Sequence, residues 1–255
     1  MTGGAGSIGS EVVRQVIARG DEAWALDIDE TRLYELERAT GCGTWLGDVT
    51  LEHDVTAAFS AISPDAVVHA AAYKHVPMGE RFKSVVRRVN VGGTRTLIEE
   101  CQARGIRRFL LVSTDKVAGT SVMGASKREA ERHTLKAGFS VIRLGNVLWS
   151  RGSVLPVLER EHLDGKPLSI THPEMRRYFI SAEDAADRIL SALELPPGLY
   201  AAEMGEQSRV IDVVMEAFPG SEWSIVGVRP GEAMAEGPVV GEPTGVRGVL
   251  RCASS

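Results

Sequence analysis

The chain has 255 residues, 44% hydrophobic and 25% charged, with a formal net charge of −5, values that exclude a disordered or fibrous protein. No window approaches the ~20 apolar residues of a membrane span, and the acidic balance excludes non-specific nucleic-acid binding, leaving "RFKSVVRR" as a solvated helix face. Three scattered cysteines, Cys42, Cys101 and Cys252, and six scattered histidines lack ligand spacing, so no metal site is expected and the thiols read as reduced, in a cytoplasmic protein.

In chain order, "MTGGAGSIGSEVVRQ" comes first. Gly3, Gly6 and Gly9 form G-x-x-G-x-x-G, with Ser7 and Ile8 between the last two. Glycines here let backbone amides approach a phosphate with no Cβ in the way. The helix-period stretch "SIGSEVVRQVIARG" follows, then the apolar run "AWALDI", on which Asp27 stands 18 residues after Gly9. A carboxylate at that place accepts from an adenosine ribose diol, which favours NAD over NADP. Asp48 in "LGDV" is a candidate for the adenine edge, with Val49 beside it.

Apolar runs and helix-period segments keep alternating through "DAVVHAAA", "SVVRRVNVGGTRTLIEECQARG", "RRFLLVS", "SKREAERHTLKAG" and "FSVIRLGNVL". Such alternation predicts an α/β, Rossmann-type doubly wound parallel sheet whose ligands lie at the carboxyl ends of the strands. Ala70, Ala71 and Lys74 follow one such run, and Thr114, Asp115 and Lys116 follow another. His69, inside an apolar run, reads as a packed strand residue. A shift in composition divides a dinucleotide-binding domain, 1–150, from a substrate lobe interleaved with it, 151–255.

No strand precedes the glycine loop, so the central slot of a 3-2-1-4-5-6 sheet is expected to be vacant, with neighbouring backbone edges unpaired. On that reading the chain holds NAD poorly, and about 5 to 8 apolar residues ahead of it, one strand's length, restore binding.

The segments "TGGAGSIGSEVVRQ", "PDAVVHAAAYKHVP", "NVGGT", "STDK", "VMGASKREAE", "IRLGNVLWSRGSVLPV", "THPEMRRYFI" and "RPGE" occur in this order. Together they resemble the CapD-like nucleotide-sugar dehydratases of polysaccharide biosynthesis, in the extended short-chain dehydrogenase/reductase superfamily. The resemblance implies conversion of a UDP-N-acetylhexosamine, typically UDP-N-acetylglucosamine, to its 4-keto-6-deoxy derivative with bound NAD, in a homo-oligomer. It further implies Asp115 as acid for the C6 hydroxyl, Lys116 as C5 base, Lys127 on the nicotinamide ribose and Lys74 beside nicotinamide and substrate. Asn90 matches a structural asparagine, and Asn146, Arg151, Arg177 and Arg229 match segments around the uridine diphosphate.

Met123 stands where the superfamily usually has its catalytic tyrosine. A thioether cannot exchange a proton, so Thr114, with an ordered water, is the candidate for the C4 hydroxyl proton. Trp149 stands where glycine is usual, and the tail after "RPGEAMAE" carries no further resemblance and is assigned no role. Two other readings stay open: a nucleotide-sugar 4-epimerase, and a nucleotide-binding protein impaired in catalysis.

Overall fold

The computed structural model describes residues 1–237 and 240–253. After the glycine loop, α1 (Ser7–Ala18), β1 (Trp24–Asp27), α2 (Glu30–Thr40), β2 (Gly43–Leu46), α3 (Glu52–Ile62) and β3 (Ala66–His69) alternate. Then α4 (Val76–Arg81), α5 (Lys83–Arg87), a π-helical turn (Arg88–Gly93) and α6 (Thr94–Ala103) lead to β4 (Arg108–Thr114). A 3₁₀ turn (Asp115–Ala118), α7 (Val122–Lys136) and β5 (Ser140–Leu144) follow.

Shorter elements dominate beyond: β6 (Asn146–Val147), α8 (Val154–Leu163), β7 (Leu168–Ile170), β8 (Arg176–Arg177) and β9 (Phe179–Ile180). The described chain ends with α9 (Ala182–Leu193), β10 (Leu199–Ala202), β11 (Ser208–Arg209), α10 (Val210–Ala217), β12 (Trp223–Ile225), β13 (Glu242–Pro243) and β14 (Val249–Arg251). Local chemistry sets several boundaries. The Asp29 carboxylate accepts from Arg32 N to start α2, and Gly41, at φ 71°, ends it in the left-handed region. Five consecutive residues of β4, Phe109 to Ser113, are buried, as a strand covered on both faces requires.

β3, β4, β5 and β10 pair in parallel, while β14 and β13 extend that edge antiparallel. β1 and β2 form a separate parallel pair. Between the two groups no element of strand length stands, but the central slot is not vacant: Thr2 bridges Leu26 of β1 on one side and His69 of β3 on the other. Thr2 N donates to Val68 O (2.9 Å) and Ala70 N to Thr2 O (3.0 Å). On the opposite edge Leu26 N donates to Met1 O (2.8 Å) and Gly3 N to Leu26 O (2.9 Å). Pairing is therefore complete where the glycine loop departs.

Apolar clusters fill both faces of this sheet, one around Leu110, Ile142, Ile189 and Tyr200, the other around Val67, Leu97, Phe109 and Val141. A smaller cluster, Leu155, Leu158, Leu168, Ile170, Val214 and Phe218, unites α8, β7 and α10. β10 and α9, although late in the chain, return to the main sheet and to α1.

His69 is buried at the centre of the sheet, 1% exposed. The Thr94 hydroxyl donates to Asn90 O (2.7 Å), so it accepts from His69 Nε2 (3.1 Å), and His69 Nδ1 then accepts from the Thr2 hydroxyl (2.7 Å). Burial first, and the Lys127 charge second, push its pKa down to about 3. The unfolded chain takes up this proton near pH 6.5 and the folded protein does so only near 3, so stability falls as pH drops through that window. Urea unfolding is expected to show a loss of roughly 1.5 kcal/mol between pH 6.5 and 5 that His69→Gln abolishes; equal slopes in the two proteins would contradict this.

Candidate active site

The loop at the carboxyl end of the central slot is built for close approach. A Cβ on Gly3, at φ 67°, would lie 2.6 Å from Ala71 N, and one on Gly9 would lie 2.1 Å from Gly3 O. Only glycine allows the loop to fold so tightly against the end of β3 and the start of α1. No side chain caps α1, whose N-cap is Gly6, so the first-turn amides, those of Ser7, Ile8 and Gly9, face outward at the positive end of the helix dipole. That is an anion site by construction.

Asp27 closes the loop from the side. One carboxylate oxygen accepts from Ala5 N (3.1 Å) and the other from Asp29 N (3.2 Å), while the side chain remains partly exposed with lone pairs free for hydroxyl donors. Asp48 bonds its own turn through Thr50 N (2.8 Å), and Val49 is buried against Gly93. Two exposed apolar residues flank these carboxylates, Ile28 after β1 and Leu46 in register with Asp27. Sequence reading missed both, because an apolar residue at a strand end shows no periodicity of its own.

Across from the loop, Asn90 in the π-helical turn clamps the segment after β3. Its Oδ1 accepts from Tyr73 N (2.8 Å), and its Nδ2 donates to Tyr73 O (3.0 Å) and to Ser126 Oγ (2.9 Å). Lys74 is thereby held beside Ser150, to whose Oγ it donates (3.3 Å). Partial desolvation, then Lys116, lowers its pKa. Arg151 leans back over the glycine loop: its N donates to Ser7 Oγ (3.0 Å), its Nη2 to Ala5 O (2.9 Å), and its Nη1 lies 3.7 Å from Asp29.

β4 delivers the reactive cluster. The Thr114 hydroxyl donates to Asp115 Oδ1 (3.0 Å) and accepts from Lys116 N (3.3 Å). Lys116 Nζ donates to Asp115 Oδ1 (3.1 Å) and to Asn146 Oδ1 (2.7 Å) at the start of β6, and lies 3.5 Å from Glu236. The Asp115 side chain is 1% exposed, yet its Oδ2 has no partner among the described residues; a buried carboxylate oxygen left open is costly. Lys127 is buried on α7, donates to Val112 O (2.6 Å) and has its pKa lowered to about 8 by burial, against a raising effect of Glu131. Met123, 2% exposed, packs against Gly79 of α4.

Arg177 and Arg229 lie differently from one another. Arg177 Nη1 donates to Arg176 O (2.7 Å) and Met234 O (3.3 Å), Nη2 donates to Ala233 O (2.8 Å), and Nε lies 3.3 Å from Glu236. This guanidinium fastens the strap 233–236 to β8. Arg229 stands in an exposed turn that its own N–H closes on Glu232 (3.3 Å). Trp149 has φ 55°, the left-handed conformation that favours glycine, and its half-exposed ring meets Phe218 edge-on at 6.1 Å. Among the described residues no group of three or more metal-ligating side chains occurs, and no helix is long and apolar enough to cross a membrane.

A sequence family described as polysaccharide biosynthesis protein matches residues 1–244. The chain is 36% identical over 95% of its length to an uncharacterized membrane protein of Methanocaldococcus jannaschii, of which it covers 80%. It is 34% identical over 92% of its length to the capsular polysaccharide biosynthesis protein CapD of Staphylococcus aureus, spanning 44% of that longer protein. A UDP-N-acetylglucosamine 4,6-dehydratase (inverting) of Campylobacter jejuni is 29% identical over 92% of the chain and 75% of its own length. Among solved structures, the UDP-glucose 4-epimerase of Thermus thermophilus in complex with NAD superposes with a TM-score of 0.84 at 25% identity, over 92% of this chain and 88% of that one.

The turn carrying Asp115 and Lys116 is wedged under α7, because a Cβ on Gly124 would lie 2.3 Å from Lys116 O. Gly124→Ala must push the two apart and is expected to cost roughly 1–3 kcal/mol in urea unfolding. Unchanged stability would show that the turn and the helix move freely of one another.

Proposed function

The chain belongs to the polysaccharide biosynthesis protein family, and from that premise we propose that it is a nucleotide-sugar 4,6-dehydratase acting on a UDP-N-acetylhexosamine, UDP-N-acetylglucosamine first. The observation that carries this reading is the Asp115–Lys116 pair, with the open Oδ2 of Asp115, at the carboxyl end of β4. The glycine loop, the uncapped start of α1 and Asp27 fit NAD, with its pyrophosphate on the helix amides and its ribose diol at Asp27. Ile28 and Leu46 would flank its adenine, and Lys127 and Lys74 its nicotinamide end. Bound there, NAD supplies reversible oxidation at C4 and reduction at C6.

The rest is proton movement by this chain's residues. The Thr114 hydroxyl receives the C4 hydroxyl proton and passes its own to Asp115 Oδ1, with which it is already bonded. Met123, buried and without a titratable group, takes no part, so the phenol of the usual mechanism is replaced by this two-residue relay. The C4 ketone acidifies C5–H, and Lys116 Nζ accepts that proton. Asp115, now a carboxylic acid, gives its proton to the departing C6 hydroxyl, which leaves as water. Lys116 then returns a proton to C5 as C6 is reduced. Every proton is accounted for: one water leaves, C4 ends as a ketone, C6 as a methyl, and both side chains recover their starting states. Arg151 and Arg229 are the proposed contacts of the nucleotide diphosphates.

A 4-epimerase would use the same transient ketone without elimination, and some relatives of this chain, at 28% identity, are named UDP-glucose 4-epimerases. Elimination is favoured because an acid and a base at C5 and C6 serve no purpose in epimerisation. Incubation with UDP-N-acetylglucosamine and NAD is expected to give a product lighter by one water in mass spectrometry. Asp115→Asn and Lys116→Ala should each slow its formation by roughly 10²–10⁴-fold. Product of unchanged mass, or variants at parent rates, would overturn the assignment.

A further inference from the structure

Glu236 closes the stretch "RPGEAMAE", and the proposed mechanism assigns it no task. Its side chain is only 7% exposed, and it sits between two cations, Lys116 Nζ at 3.5 Å and Arg177 Nε at 3.3 Å. The strap that carries it is knitted to the lobe by Arg176 N on Met234 O (2.8 Å), by Arg177 on the carbonyls of Ala233 and Met234, and by Gln207 Nε2 on Glu236 O (2.9 Å). A carboxylate is not buried at this depth without partners, and one of its two partners is the amine that the proposed mechanism uses as base.

Resting on that mechanism, we propose that Glu236 is a positioning residue for Lys116: with Asn146 it holds Nζ while the contact with Asp115 is given up as that carboxylate is protonated, and the side of the nitrogen so freed meets C5 of the sugar. The three oxygens come from three separate places, the turn after β4, the start of β6 and the C-terminal strap. A lysine side chain has four rotatable bonds, and holding its end requires partners that do not themselves move. Asp115 cannot serve as a permanent partner, because it gains and loses a proton in each cycle. Asn146 fixes one direction only. Glu236 supplies the other through Oε1, and Arg177 Nε, on that same oxygen, holds it in place. The charged groups around Nζ are thus Asp115 and Glu236, with Lys74 near enough to be lowered by it and Arg177 on Glu236. When Lys116 takes the C5 proton, the ammonium formed already has a carboxylate beside it.

The test isolates this proton transfer from the rest of the cycle. Loaded with NAD, the enzyme is given its 4-keto-6-deoxy UDP-sugar product in D2O, and deuterium entering C5 is followed by mass spectrometry, while UDP affinity and melting temperature are measured in parallel. Glu236→Ala is expected to slow exchange by roughly ten- to a hundredfold, with UDP affinity unchanged within about twofold. Glu236→Gln, which keeps an acceptor and the shape, should lie between Ala and the parent and serves in its place should Glu236→Ala fail to fold. Lys116→Ala is the reference: were it to exchange like the parent, the base assignment itself would fall, and the role of Glu236 with it. Were Lys116→Ala inactive in exchange while both Glu236 variants matched the parent, the mechanism would stand and the positioning role would be refuted. Loss of exchange in step with UDP affinity and melting temperature would likewise refute it, leaving Glu236 as a fastening of the strap.

Discussion

One nitrogen atom, Lys116 Nζ, is where distant parts of this chain meet. Its contacts come from the turn after β4, from Asn146 and from Glu236, segments far apart in the chain. What the fold adds is fixed orientation next to a carboxylate, one of whose oxygens, Asp115 Oδ2, has no hydrogen-bond partner among the described residues.

That arrangement in turn hangs on the centre of the sheet. Met1 and Thr2 supply the backbone pairs between β1 and β3, so the glycine loop, Asp27 and the residues after β3 end at one level. From Thr2 a line of hydrogen bonds runs through His69, Thr94 and Asn90 to Ser126, whose hydroxyl donates to Met123 O (2.7 Å). It ties the loop proposed to hold the cofactor to α7, which carries Lys127. Its members are uncharged side chains and one histidine kept neutral by burial, as a network sealed from water demands. Sheet, glycine loop and α7 are thereby tied to one another by hydrogen bonds.

What was legible in the sequence was local. The alternation of apolar runs with helix-period segments marks the strands and helices, and the glycine spacing marks the loop, since each depends on neighbours within a few residues. The positions of Thr114, Asp115 and Lys116 follow from the rule that ligands sit at strand ends. The central slot was misjudged because two residues bridging on both edges are too short for any periodicity to reveal. Glu236 was missed for a different reason: 120 residues separate it from Lys116, and nothing near it says that the strap folds back. The same strap draws off the donors of Arg177, which by itself reads as a free guanidinium. Trp149 could be noted as a departure, but the left-handed backbone that makes glycine usual there is visible only in three dimensions.

The central claim is that Asp115 and Lys116 remove water across C5 and C6 while hydrogen passes from C4 to C6. UDP-N-acetylglucosamine carrying deuterium at C4 tests it in a single turnover experiment, read by NMR of the product. The account predicts that the deuterium appears in the C6 methyl group beside a C4 ketone. Deuterium found back on C4 of a sugar of unchanged composition would contradict it and mark the protein as an epimerase.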